Sequence, residues 1–210
     1  MKVMESMDAD TEDVIINFRN NVVRIMLEFS YTQMFVFITL IWILARSVIA
    51  IAFKKFSVKR ELQMLLVYIC LVVIARFAYF PLHRVDGKIS SLIIGNTTKL
   101  ADMISLIPFY FLFDRYDGWL VNIIGNITMF IPVGIVWPIC FPKLDSIKKT
   151  VFAGMVFTLL IELTQLLCPE RHTDIDDVIL NTSGVLIGAC ILFAIRKQAK
   201  HPTKMMEMRV

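Results

Sequence analysis

Between Tyr31 and Ile195 the chain is divided into five apolar runs, 31–53, 62–80, 122–141, 150–168 and 177–195. Runs of roughly 20 apolar residues match the hydrocarbon thickness of a bilayer. Within a bilayer the backbone must satisfy its own hydrogen bonds, so each run is expected to be a helix. A transmembrane barrel would need apolar and polar residues in alternation, and the chain shows no such pattern. Hydrophobic residues make up 57% of the chain, against roughly 45–50% in soluble domains. The expected fold class is all-α: a polytopic helical membrane protein with about five transmembrane helices.

Three regions follow from the same pattern. Residues 1–30 are an acidic polar tail and an amphipathic interfacial helix over 14–29, where Val14, Ile15, Phe18, Val22, Ile25 and Phe29 recur at helical spacing. Residues 31–195 form the transmembrane bundle, and 196–210 a basic tail. Within the long connection 81–121, the apolar stretch 104–113 is too short to span and has Pro108 at its centre. It is expected to be re-entrant or interfacial. No basic region leads into an apolar run and cleavage site at the N-terminus, so no signal peptide is expected to be removed. Cys70, Cys140, Cys168 and Cys190 form no paired motif and are expected to stay reduced.

Charge sets an orientation. The segments 54–61, 142–148 and 196–210 hold four, two and five Lys or Arg residues and fall on one side of a five-span topology. The other side receives the loop 169–176, where Arg171 stands against Glu170, Asp174 and Asp176. Basic loops face the cytoplasm. The expectation is a C-terminus inside and the acidic loop outside. Nucleic acid is excluded as a partner, because the basic clusters border spans, where anionic lipid is the counter-charge.

With alternate spans running in opposite directions, the strongly polar residues of the later spans come to one depth. Arg76 lies near the outer end of its span, Asn122 and Asn126 in the outer half of theirs, and Thr158, Glu162 and Gln165 rise toward the same side. Asp177 and Asn181 begin the last span there; Arg46 is the exception, near the cytoplasmic end and able to snorkel. Helical spacing also puts these residues on common stripes: 158, 162 and 165; 122 and 126; and 177, 181, 184 and 188. Gly184 and Gly188 form a GxxxG that permits close helix approach, and Pro132 and Gly134 are expected to loosen the third span.

Ionisable groups at membrane depth are costly, so each needs a reason. Glu162 reads as a cavity carboxylate paired with Arg76 or Arg171, or as a packing residue inside the bundle. Asp174, Asp176 and Asp177 read as acid/base groups, as ligands of a hard cation, or as the cap of the last helix, with Asp176 or Asp177 the expected cap. Arg171 could clamp an anion or bridge to an aspartate, and His172 reads as an ordinary loop histidine. The candidate catalytic residues are Glu162, Asp174 and Asp177. The candidate ligand-binding residues are Arg76, Asn122, Asn126, Glu162, Gln165, Arg171 and Asn181. No metal site is expected, Asp174, Asp176 and Asp177 being the only candidates, and no cofactor. Ser183 and Cys168 lack the surroundings of a nucleophile, and no phosphate-binding glycine loop is present.

The segment Asn122-Ile-Ile-Gly-Asn-Ile-Thr-Met-Phe-Ile-Pro-Val-Gly134, with Glu162-Leu-Thr-Gln165 and Arg171, Asp174, Asp177, Asn181 and Gly184, resembles the signature of VanZ-like membrane proteins. Leu106-Ile-Pro-Phe109 is similar to a further motif of that family, and the likeness covers about residues 62–195. The resemblance implies a role at the bacterial cell surface and lowered susceptibility to teicoplanin and related lipid-tailed glycopeptides. The reading set beside it is a polar outer-leaflet pocket that binds an amphiphile: a membrane lipid, a lipid-linked wall precursor or the lipoglycopeptide antibiotic. The resemblance names no reaction. An intramembrane enzyme acting on a lipid head group and a structural helix-docking protein stay open beside it.

Overall fold

The computed structural model describes residues 27–54, 57–80, 84–85, 88–95, 103–109 and 118–207. The first long helix, α1 (Tyr31–Phe53), starts from a capping box in which the Ser30 hydroxyl accepts the Gln33 N–H at 3.3 Å and Gln33 Oε1 accepts the Ser30 N–H at 2.8 Å. None of its residues is buried. A helix that is apolar all round has lipid as its solvent. It is tied to α2 (Val58–Tyr79) by the Thr39 and Tyr68 hydroxyls, 2.6 Å apart, and by an Arg46–Glu61 ion pair of 2.5 Å. Arg46, expected to snorkel, is therefore paired with a neighbouring helix instead.

Helices α2, α3 (Trp119–Cys140), α4 (Ile147–Gln165) and α5 (Ile175–Glu207) enclose the core. Ile74 and Ala78 of α2, Phe130 and Val133 of α3, Ile161 of α4 and Val185 of α5 meet there. Each helix buries one stripe at three- and four-residue spacing: Met64, Val67, Cys70, Ile74 and Ala78 in α2 are an example. In α4 the stripe is Thr150, Gly154, Thr158, Ile161, Glu162 and Gln165, almost wholly small or polar, while Phe152, Leu159, Leu160 and Leu163 face outward. Among the described residues four helices, α1, α2, α3 and Ile175–Ala199 of α5, are long and apolar enough to cross a membrane. Five spans were expected; the remaining helix, α4, has 19 residues, among them Lys148, Lys149 and Glu162.

The closest helix pair is α3 and α5. A Cβ added at Gly184 would strike the Ile127 carbonyl, one at Gly188 the Ile131 carbonyl, and one at Gly134 the Val185 carbonyl. The GxxxG face is thus docked within the chain, backbone to backbone, and is not an open surface for another helix. Helix α3 continues through Pro132 and Pro138. Its last carbonyls, which have no partner within the helix, are met by neighbours: Arg60 donates to the Cys140 carbonyl, and Arg196 to that of Pro138 at 3.2 Å. Residue 142 is proline and has no N–H to offer Pro138. Two cations at a helix C-terminus also match its dipole.

Short strands close the opposite end. β1 (Leu27–Phe29) pairs antiparallel with β4 (Leu92–Ile94), and β2 (Arg84–Val85) with β3 (Lys88–Ile89). β5 (Ile104–Ser105) runs parallel to β6 (Thr173–Asp174). Leu27–Phe29, the end of the amphipathic helix expected over 14–29, are thus extended, because β4 takes their backbone groups; residues 14–26 lie outside the described residues. In the stretch 104–113, expected to be re-entrant or interfacial, the described part is β5 followed by a turn with Phe109 at φ 62°, and 110–113 lie outside the described residues. All four cysteines are free.

Candidate functional site

The helix directions bring the end of α2, the start of α3, the end of α4 and the start of α5 together. A cavity of about 400 Å³ opens there. Asn122 and Asn126 line it from α3, Glu162 and Gln165 from α4, and Asp177 and Asn181 from α5. Arg171, His172 and Asp174 close it from the loop between α4 and α5.

The polar walls are cross-tied. Asn126 donates to Asp177 at 2.5 Å and to Asn122 at 3.3 Å. Asn181 Nδ2 donates to the Thr158 hydroxyl at 2.8 Å, and Gln165 Nε2 to the Ala78 carbonyl at 2.8 Å. Tyr79 and Thr164 join α2 to α4 through their hydroxyls. Glu162, only 2% exposed, pins the loop: its Oε2 accepts the Asp174 N–H at 3.1 Å and its backbone carbonyl the Thr173 hydroxyl at 3.0 Å. The partner shown for the Glu162 carboxylate is thus a backbone N–H.

The three aspartates divide into three tasks. Asp174 immediately precedes α5, and its Oδ1 accepts the Asp176 N–H at 2.9 Å, so Asp174 is the cap that was expected at Asp176 or Asp177. Asp176, buried, accepts the Phe109 N–H at 2.5 Å and holds the 103–109 segment against α5. Asp177 faces the cavity. Burial pushes the Asp174 carboxyl above the usual carboxylate range, and burial pulls the Arg171 guanidinium below its ordinary value. Among the described residues no group of three His, Cys, Asp or Glu side chains is placed to hold a metal ion.

Arg76 does not line this cavity. Its guanidinium donates to the Phe80 carbonyl at 3.0 Å and lies over the Tyr31 and Phe77 rings, 5.6 Å from each centroid. Those rings hold it at the α1–α2 seam.

A second, apolar cavity of about 370 Å³ lies between α2 and α3, lined by Val73, Val121, Gly125, Thr128 and Pro132. Phe77, Asn122, Asn126 and Met129 line both cavities. Nothing in an apolar run marks Phe77 and Met129 as residues that border a cavity. Thr173 and Ala78 were also missed, since both act through pairings that no local pattern reveals.

Three buried polar atoms of the lining have no partner among the described residues: Gln165 Oε1, Asn181 Oδ1 and Arg171 Nη2. The site therefore offers acceptors from the helices and a donor from the loop. A family model described as VanZ/LLP1 matches residues 64–196, which contain every one of these groups. No curated protein and no solved structure matches the chain.

Proposed function

The chain belongs to the VanZ/LLP1 family, and we propose that it works in the bacterial cell membrane by binding an amphiphile in the outer leaflet. The amphiphile is a membrane lipid, a lipid-linked wall precursor or a lipid-tailed glycopeptide, and its capture lowers susceptibility to teicoplanin-type antibiotics. The family is associated in general with teicoplanin resistance. One observation supports the ligand class above others: the polar cavity and the apolar cavity share the wall of Phe77, Asn122, Asn126 and Met129. A polar head and an apolar tail can occupy both at once. The basic loops at the opposite end favour the cytoplasm, which leaves the cavity and the 169–176 loop outside.

The test is susceptibility of a sensitive Gram-positive host expressing wild type or Glu162→Gln, with teicoplanin beside vancomycin and membrane levels matched. Selective protection by wild type that Glu162→Gln loses supports the reading; equal protection from both proteins rejects Glu162 as part of the site.

A second reading has its own support, since Glu162, Asp174 and Asp177 all line one cavity, as acid/base work on a bound head group would require. Product formed from lipid by purified protein, and lost in Glu162→Gln, would favour turnover over binding.

A further inference from the structure

We infer that the head group seated in this cavity is a phosphate ester whose far end donates hydrogen bonds, through a hydroxyl or an ammonium. A head group without such donors is refused. The inference rests on the amphiphile reading above and adds the chemistry of the head.

Gln165 carries most of the weight. Its Nε2 donates to the Ala78 carbonyl at 2.8 Å. A backbone carbonyl can only accept, so the amide has one possible orientation, and the atom left over is Oε1. Gln165 is 6% exposed, and that oxygen is buried without a partner among the described residues. Asn181, 2% exposed, adds a second such atom, Oδ1, once its Nδ2 has met Thr158. The carboxylates of Glu162 and Asp177 bring further acceptor sites on the same walls.

Against these acceptors stands one unmatched donor among the described lining residues, Arg171 Nη2, in the loop that closes the cavity. A guanidinium matches a phosphate oxygen. The ligand is thereby oriented: phosphate at Arg171, donors toward Gln165 and Asn181, and tail through the shared wall into the α2–α3 cavity. Water can satisfy such atoms, and a ligand that displaces it must reproduce its hydrogen bonds. Glycerol and ethanolamine heads can do so. A choline head carries a cation that suits the carboxylates but has no N–H or O–H to give Gln165 or Asn181.

Gly125 supplies a control for the tail. It lines the apolar cavity, and a Cβ there would meet nothing within 4 Å. Gly125→Leu should fill the tail's path without disturbing helix packing.

The experiment uses the full chain in detergent, with native mass spectrometry titrating dioctanoyl phosphatidylglycerol, phosphatidylethanolamine and phosphatidylcholine. The expected result is at least tenfold weaker binding of the choline lipid than of the better of the other two, and at least tenfold loss for that lipid in Gly125→Leu. Which of glycerol and ethanolamine binds better identifies the donor as hydroxyl or ammonium. Choline binding equal to both others overturns the head-group inference and leaves the amphiphile reading standing, provided Gly125→Leu still weakens all three. Binding that Gly125→Leu does not change, in a protein whose melting temperature is retained, overturns the amphiphile reading and this inference with it.

Discussion

Asn126 and Asp177 lie 51 positions apart in the sequence, and the Asn126 side-chain amide donates to Asp177 Oδ1 at 2.5 Å. The bond joins α3 to α5 at the level of the cavity. It also continues, toward the start of α5, the close backbone contact that Gly184 makes with Ile127. The seam between these helices is therefore apolar and tight below, polar and cross-tied above, where the cavity begins.

Removing that donor should be costly. Asn126→Leu keeps the branching at Cγ, with bulkier methyl groups, but takes one hydrogen bond from a part-buried carboxylate, a loss of about 1–3 kcal/mol. Asp177→Leu should destabilise as well, and the double variant by less than the sum of the two. Thermal unfolding of the four proteins in one detergent checks this, and strict additivity would show that the bond contributes nothing.

The glycines should sort by what their missing Cβ would meet. Gly184→Ala and Gly188→Ala each place a methyl against a carbonyl of α3 and must push the helices apart, which costs roughly 1–3 kcal/mol in packed interiors. Gly125→Ala meets nothing and should be neutral, or stabilising by up to about 1 kcal/mol through helix propensity. Melting temperatures of the three variants settle the order; equal losses would mean that close approach is not what the glycines provide.

Asp174 gives a pH dependence of defined sign. Burial raises its folded-state value, so its protonated form favours folding. That contribution is present below the ordinary aspartate value of about 3.9 and is lost as pH rises through the raised one. Asp174→Asn keeps an oxygen to cap α5 and removes the titration. The variant should therefore melt above wild type at neutral pH, the difference shrinking as pH falls toward about 4. A difference that does not change with pH would refute the assignment.

Orientation can be read in intact cells. In a background with Cys190, the exposed native cysteine, replaced by Ala, His172→Cys should react with a membrane-impermeant maleimide. Lys149→Cys should react only after permeabilisation. Both positions are exposed. The reverse pattern would place the cavity in the cytoplasm.

Much of this was legible before any coordinates. The first helix was expected over 31–53 and is Tyr31–Phe53, since an apolar run bounded by Ser30 and a basic cluster has little freedom to end elsewhere. The gathering of Asn122, Asn126, Glu162, Gln165 and Asn181 at one end followed from alternating span direction and helical spacing alone. Arg76 shows where such reasoning stops. Its place near the end of α2 follows from its position in the run, but the rotation of α2 about its axis turns the guanidinium toward Tyr31 and Phe77. The cap of α5 fell at Asp174 rather than a later aspartate because the β5–β6 pairing holds the chain extended through that residue.

The sequence by itself determined the fold class, the helical stripes and the end of the bundle at which polar groups collect. Hydrophobic length and a period of 3.6 are local properties, and in a bilayer a run without barrel-type alternation has no alternative to the helix. Only the tertiary structure decided that the glycine face of α5 is filled by α3, that Glu162 holds the acidic loop by a backbone N–H, and that Phe77 and Met129 border two cavities. Each of those depends on the rotation and crossing of helices far apart in the chain, which packing sets and no local pattern encodes.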